Sequence, residues 1–343
     1  MCAAADKKAV GLFLGTEEGI AKAYAPGVKQ AICDRLAMVE GCYPHPLFEN
    51  NELPAAPFAA VEYIFSTWNM PALTGEQIQF YFPNLKAVFY AAGTVRYFAA
   101  PYMERGVRIF SAWGANAVPV AEVTVSEIIL ANKGFFQTLH RGDGPVWRTH
   151  DFGKPYPGNY DTPVGIIGAG MIGSLVIRML KAYRLPVLVF DPFLSDEKAE
   201  ALGVGKVTHL PELFERCQVI SNHLANNPQT ENMIDESCFG KMGDNAVFLN
   251  TGRGKQVNEA ALIAALKQKP TRAAVLDVTW PEPPEAGSEL YTLKNVFLTP
   301  HMAGSIGSEV QRMGEYMLAE FTACLEGKPT RFEVTPAMLE TMA

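Results

Sequence analysis

Thr162-Pro163-Val164-Gly165-Ile166-Ile167-Gly168-Ala169-Gly170-Met171-Ile172-Gly173, followed through a helical spacer by Val187-Leu188-Val189-Phe190-Asp191, is the stretch that decides the fold. It reads strand, glycine turn, helix, strand, acid, which is the dinucleotide-binding fingerprint in its full context. Gly168 permits the tight turn, Gly170 lets a pyrophosphate approach the backbone, and Gly173 lets the helix pack closely. Met171 and Ile172 open the helix, whose first N–H groups and partial positive charge suit a diphosphate. Asp191 ends the second strand, where it suits ribose hydroxyls and repels a 2′-phosphate, so NAD is expected in preference to NADP.

Outward from this unit the chain alternates short apolar runs with helical or polar spacers. Before the fingerprint the runs are Val10–Leu14, Leu36–Val39, Val61–Phe65, Ala87–Tyr90 and Val107–Phe110. After it they are Val219–Leu224, Ala246–Thr251, Ala274–Val278 and Val296–Thr299. This alternation predicts an α/β protein of two Rossmann-like or flavodoxin-like domains with doubly wound parallel sheets. Between them the period changes to 3.6, with Val118, Ala121, Val125, Ile128, Ile129 and Asn132 on one face and Pro119 placed as a first-turn proline. That helix is expected to cross from the first domain into the second. A loop rich in Gly, Pro and aromatics, Gly142–Asp161, follows it. The helical segment Gly307–Leu325 is expected to return to the first domain, making that domain discontinuous. The boundaries read as 1–116 with 305–343 for one domain and 117–304 for the other, with a cofactor in the cleft between them.

The 343 residues are 48% hydrophobic and 19% charged, and the net charge of −7 favours neither nucleic acid nor an anionic membrane. Six scattered cysteines without a C-x-x-C pair point to reduced thiols and against a disulfide framework or zinc site. His45, in Cys42-Tyr43-Pro44-His45-Pro46, has too few neighbouring ligands for a metal. No unbroken apolar run reaches the length of a membrane helix. Lys7-Lys8 before the first apolar run lacks a cleavage site, so that run reads as a strand. The expected compartment is the cytoplasm.

Three islands at the C-terminal ends of predicted strands carry chemistry, at the edge where such sheets bind ligands. In Asn250-Thr251-Gly252-Arg253-Gly254, an arginine between glycines can hold a carboxylate bidentately, although alone it is equally a surface turn residue. In Asp277-Val278-Thr279-Trp280-Pro281-Glu282, two carboxylates end a strand and begin a proline-stiffened loop. In Thr299-Pro300-His301-Met302-Ala303-Gly304, a histidine fixed at the edge with acids nearby suits general acid/base work.

In this order, with Val120-Ala121-Glu122 and with His223-Leu224 through Pro228-Gln229-Thr230, these motifs resemble the NAD-dependent D-2-hydroxyacid dehydrogenase family. The resemblance implies hydride transfer between NAD(H) and a D-2-hydroxy acid or its 2-oxo acid. It implies Arg253 on the substrate carboxylate, His301 as acid/base and Glu282 as its partner. The expected cofactor contacts are Gly168, Gly170, Met171, Ile172, Gly173, Asp191, Thr251, Asp277 and His301, with Asp277 on the nicotinamide carboxamide. Substrate contacts are expected from Ala92, Gly93, Thr94, Arg253 and His301, and the partner is a small-molecule acid. A homodimer is expected, because the crossing helix and the Gly142–Asp161 loop carry apolar and aromatic residues.

The first third of the chain departs from the family. Ala91-Ala92-Gly93-Thr94-Val95-Arg96 keeps a glycine where relatives read Gly-x-Asp, but lacks the acid. Arg96 is either a surface residue or the receptor of a second anionic group on the substrate. Trp113 and Asn116 either shape the pocket or pack the domain junction. Asn226 and Asn227 stand where relatives often show Leu-Thr. A short-chain reductase would need a Tyr-x-x-x-Lys pair, and a zinc alcohol dehydrogenase clustered cysteines. Formate dehydrogenases carry a glutamine where Glu282 stands. A NAD(H)-sensing corepressor of the same fold is the alternative from another functional class.

Overall fold

The computed structural model describes residues 8–139 and 155–341. Most of the Gly142–Asp161 loop, and with it part of the ground for the expected dimer, lies outside the described residues. The strands, in chain order, are β1 (Val10–Leu14), β2 (Ala37–Tyr43), β3 (Val61–Ser66), β4 (Ala87–Tyr90) and β5 (Arg108–Ser111), then β6 (Val164–Ile167), β7 (Val187–Phe190) and β8 (Gly205–Val207). They continue with β9 (Val219–Asn222), β10 (Val247–Asn250), β11 (Ala273–Leu276), β12 (Val296–Leu298) and β13 (Glu333–Val334). Two compact units result: Met1–Asn116 with Ser305–Ala343, and Ala117–Gly304.

The first unit holds a sheet in the order β13-β5-β4-β3-β1-β2. Its parallel part has the flavodoxin-like order, with the reversal between β1 and β3. β13 is antiparallel to β5, a pairing that two residues could not announce in the sequence. Arg108 grips Glu333 across this pair in one bidentate fork, Nε donating to Oε1 at 2.8 Å and Nη2 to Oε2 at 2.6 Å. The buried Glu320 accepts the N–H groups of Arg331 and Phe332, which pins the returning tail. The helix Glu309–Leu325 presents Val310, Met313, Met317 and Phe321 to one face of this sheet, where they join Phe65, Phe89 and Phe110.

The second unit is a fully parallel sheet of order β12-β11-β10-β9-β6-β7-β8, the Rossmann arrangement with its reversal between β6 and β9. β6, β9, β10 and β11 are buried at every position, as strands covered by helices on both faces must be. Register places Ile167, Phe190, Asn222, Asn250, Leu276 and Leu298 on one level across the sheet. The next residue of each strand therefore falls in a row along the C-terminal edge: Asp191, Gly168, His223, Thr251, Asp277 and Thr299.

The helix Trp113–Asn132 begins six residues before Pro119, which corrects the sequence reading of that proline as its start. The chain turns into the helix at Ala112, whose carbonyl accepts the N–H groups of Ala115 and Asn116, and Ala112 and Ala115 are fully buried. Core packing thus outweighs the single N–H that the proline withholds. This helix also departs from the expectation about membrane-length segments: it is long and apolar enough to cross one, with a mean hydropathy of 1.3. Its most apolar stretch is 56% buried within the protein, as in a helix that serves a core.

Candidate active site

The glycine turn is built as backbone sterics require. Gly168 has φ +87°, and a Cβ there would meet the His223 carbonyl oxygen at 2.9 Å. A Cβ on Gly173 would lie 2.0 Å from the Gly168 carbonyl oxygen, so this glycine lets the helix Met171–Leu180 close onto the turn itself. Gly170 differs: a Cβ there would meet nothing within 4 Å. It is the N-cap and offers no side-chain cap, so the first N–H groups of the helix are left without a capping side chain from it. Asp191 accepts the Ala169 N–H on one oxygen and the Phe193 N–H on the other, both at 2.8 Å. That leaves lone pairs on a carboxylate beside the turn. The open cradle, the uncapped helix and the acid together fit a dinucleotide.

Along the same edge, the loop after β10 is held by buried amides. Asn222 Nδ2 donates to Asn250 Oδ1 at 3.0 Å and to Gln256 Oε1 at 2.6 Å. Gln256 Oε1 also accepts the Arg253 N–H, Asn250 Nδ2 donates to the Arg253 carbonyl, and Gln256 Nε2 donates to the Leu224 carbonyl. A Cβ on Gly254 would lie 2.0 Å from the Thr279 backbone, so the glycine lets the arginine loop press against the loop after β11. Arg253 Nη1 donates to the Gly252 carbonyl at 2.8 Å. Burial lowers the guanidinium pKa and the charge of Glu282 opposes that shift, so the arginine stays cationic in the field of this carboxylate.

The third loop carries His301, whose Nδ1 lies 2.6 Å from Glu282 Oε1. Both side chains are roughly half exposed, at 47% and 39%, so the free imidazole edge can meet a ligand. His301 has φ +52°, a conformation that non-glycine residues enter only when held there. Its N–H donates to the carbonyls of Asp277 and Thr299, both at 3.0 Å. The buried Asp277 holds the rest of the turn: Oδ1 accepts Thr299 Oγ1 at 2.6 Å and the Met302 N–H at 2.8 Å, and Oδ2 accepts the Ala303 N–H at 2.9 Å. Asp277 is thus an anchor of the histidine turn, a role the sequence reading did not assign. One acceptor position on the carboxylate remains for a ligand amide.

Thr251 Oγ1 lies 3.1 Å from Thr124 Oγ1, so its hydroxyl faces the helix Trp113–Asn132. Met171 is 44% exposed at the mouth of the turn, and Ile172 packs against the core. In the first unit, Ser111 Oγ donates to the Ala92 and Gly93 carbonyls, which shapes the Ala92–Thr94 turn beyond β4. The Asn116 amide nitrogen lies 3.9 Å from where a Gly93 Cβ would be, and Asn116 Oδ1 accepts the Ser305 N–H at 2.9 Å. Trp113 packs edge-on against Phe332. Arg96 is exposed. Asn227 Oδ1 accepts the N–H groups of Gln229 and Thr230, so this departure from the family builds its own turn.

Asn222, Gln256 and Asp277's anchoring role escaped the sequence reading, because a polar residue inside a network looks like a solvated one until its partners are placed. His223 is a further case. It is buried, Nε2 lies 2.9 Å from Ser221 Oγ, and Nδ1 has no partner among the described residues. Burial pushes its pKa down to about 3, so the ring is neutral.

Among known proteins, the family described as "D-isomer specific 2-hydroxyacid dehydrogenase, NAD binding domain" matches residues 131–303. The chain is 33% identical to the D-3-phosphoglycerate dehydrogenase of Methanocaldococcus jannaschii over 230 residues, 66% of this chain and 42% of that protein. It therefore spans less than half of that relative's length. It is 32% identical to a putative 2-hydroxyacid dehydrogenase of Bacillus subtilis over 59% of each chain. The apo D-mandelate dehydrogenase of Rhodotorula graminis superposes with a TM-score of 0.80 at 22% identity, covering 96% of this chain and 98% of the other. A phosphoglycerate oxidoreductase of Rhizobium etli gives 0.76 at 20% identity, covering 96% and 99%. At such identities these structures speak for the fold alone. With the family's description matching half of the sequence, over the span that holds the glycine turn and the three edge loops, this chain belongs to the D-isomer specific 2-hydroxyacid dehydrogenase family.

Proposed function

We propose that this chain interconverts a D-2-hydroxy acid and its 2-oxo acid, using NAD(H) in preference to NADP(H). The observation that carries the reading is the 2.6 Å contact of His301 Nδ1 with Glu282, at a sheet edge where Glu282 also acts on the Arg253 cation. The bound nicotinamide supplies or takes up the hydride. Gly168, Gly170, Met171, Ile172, Gly173 and Asp191 would hold the dinucleotide, with Thr251 and Asp277 toward its nicotinamide end.

The protein's own part is proton and charge management. With Nδ1 turned to Glu282, His301 presents Nε2 to the reacting oxygen. In reduction Nε2–H gives its proton to the carbonyl oxygen as negative charge develops there, and in oxidation neutral Nε2 removes the hydroxyl proton. Glu282 stabilises the imidazolium and fixes the ring. Arg253 binds the substrate carboxylate and offsets the developing charge. In the first unit, backbone N–H groups around Gly93 are the proposed donors to an anionic group of the substrate.

The test is NADH oxidation, followed by absorbance, against 2-oxo acids from glyoxylate and pyruvate through branched, aromatic and dicarboxylic members. Turnover with a clear preference is the expected result. NADH binding without turnover on any of them would favour a sensing role and contradict the enzyme reading.

A further inference from the structure

Glu127 lies on the helix Trp113–Asn132, one turn beyond Thr124. Thr124 Oγ1 sits 3.1 Å from Thr251 Oγ1, which places this helix face over the end of β10. Asn250 and Leu276 are register partners, so Thr251 and Asp277, the residues after them, are neighbours at the sheet edge. Positions three apart on a helix share a face at about 5–6 Å, so Glu127 is carried to the Thr251–Asp277 edge. Its Oε2 is buried and has no hydrogen-bond partner among the described residues. Burial, reinforced by the negative charge of Asp277, raises its pKa to about 8, so the group is largely neutral at pH 7. The proposed mechanism uses Asp277 and leaves Glu127 without a task.

We propose that Glu127 is a positioning residue that links one proton to the charge of the bound nicotinamide ring. Neutral Glu127 adds nothing to the negative charge of Asp277 at that end of the edge. Ionised Glu127 adds a second, which favours the cationic oxidised ring over the neutral reduced one. Among the described residues Asp277 forms no ion pair: the three donors on its carboxylate are the Thr299 hydroxyl and the Met302 and Ala303 amides. The ionisable side chain on that turn is His301, which faces Glu282. By reciprocity, the oxidised cofactor makes Glu127 ionise more readily and the reduced cofactor makes it hold its proton. The inference rests on the cofactor placement proposed above.

One unit charge acting on another over about 10 Å, at an effective dielectric constant near 20, corresponds to a preference of roughly fifteenfold, and tenfold is the order expected. The experiment measures Kd for NAD and for NADH from pH 6.5 to 9.5 in the whole protein and in Glu127→Gln. Every other ionisable group is common to the two proteins, so the difference between them isolates Glu127. The ratio Kd(NADH)/Kd(NAD) is expected to climb with pH about tenfold more in the natural protein than in the variant. Parallel curves would overturn the proposal while leaving the enzyme reading standing. Failure of the natural protein to bind either cofactor would overturn both. Should Glu127→Gln not fold, a 13C carboxyl NMR titration of the natural protein serves instead. A lower Glu127 pKa with NAD than with NADH is expected, and equal values would overturn the link.

Discussion

Asp277 commits three acceptor positions of one buried carboxylate to the turn that holds His301 in a left-handed conformation. Hydrogen bonds to a charged group are worth about 1.5–3 kcal/mol each, so the turn has no comparable support once the carboxylate is gone. Asp277→Ala is expected to lower kcat by about two orders of magnitude and weaken NADH binding, whereas Asp277→Asn keeps one acceptor and loses less. Steady-state kinetics with a cofactor titration separates the two; an Asp277→Ala enzyme with natural kcat would remove the anchoring role. His223 gives a pH signature. Its folded pKa of about 3 lies below its ordinary 6.5, so its neutral form supports the fold above pH 6.5 and that support is lost as pH falls from there towards 3. One pKa unit corresponds to about 1.4 kcal/mol, so several kcal/mol is an upper bound. Replacing it by Asn should flatten the fall in Tm between pH 7 and 4.5, and an unchanged slope would place the acid sensitivity elsewhere.

Among the elements, the glycine turn offers a paired test because its glycines answer to different neighbours. Gly173→Ala drives a methyl into the Gly168 carbonyl, an overpacking that typically costs about 1–3 kcal/mol, and should lower both Tm and NADH affinity. Gly170→Ala meets no protein atom, so it should leave Tm alone and weaken NADH binding about tenfold or more. Equal NADH affinity in natural and Gly170→Ala protein would mean that nothing approaches the backbone there. The same turn shows what a sequence makes legible. Its glycines, strands and acid lie within thirty residues and their constraints are local, so they could be read directly. The three edge loops were readable as chemistry because each follows a buried apolar run. β8 and β13 were not, since three and two residues at sheet edges carry no period. The helix start at Trp113 was hidden because burial of Ala112 and Ala115 overrode the proline signal. Asn222, Gln256 and Glu127 draw their roles from partners twenty to one hundred and fifty residues away, which no local pattern encodes.

For the whole molecule, cofactor binding should appear as stability. A ligand at a hundred times its Kd adds about 2.7 kcal/mol, and for a fold of this size each kcal/mol moves Tm by roughly 2–4 °C. NADH is expected to raise Tm by several degrees and NADPH, at the same concentration, by clearly less, because the Asp191 carboxylate stands beside the glycine turn. Equal shifts would contradict the cofactor preference. The central claim, that His301 moves the proton, is tested most directly by kcat and NADH affinity of His301→Ala on the best 2-oxo acid. Loss of a positioned acid/base costs about 10²–10⁴ in rate. A fall in kcat of that size with NADH affinity nearly unchanged is the result expected, and a kcat within a few fold of the natural protein's would contradict it.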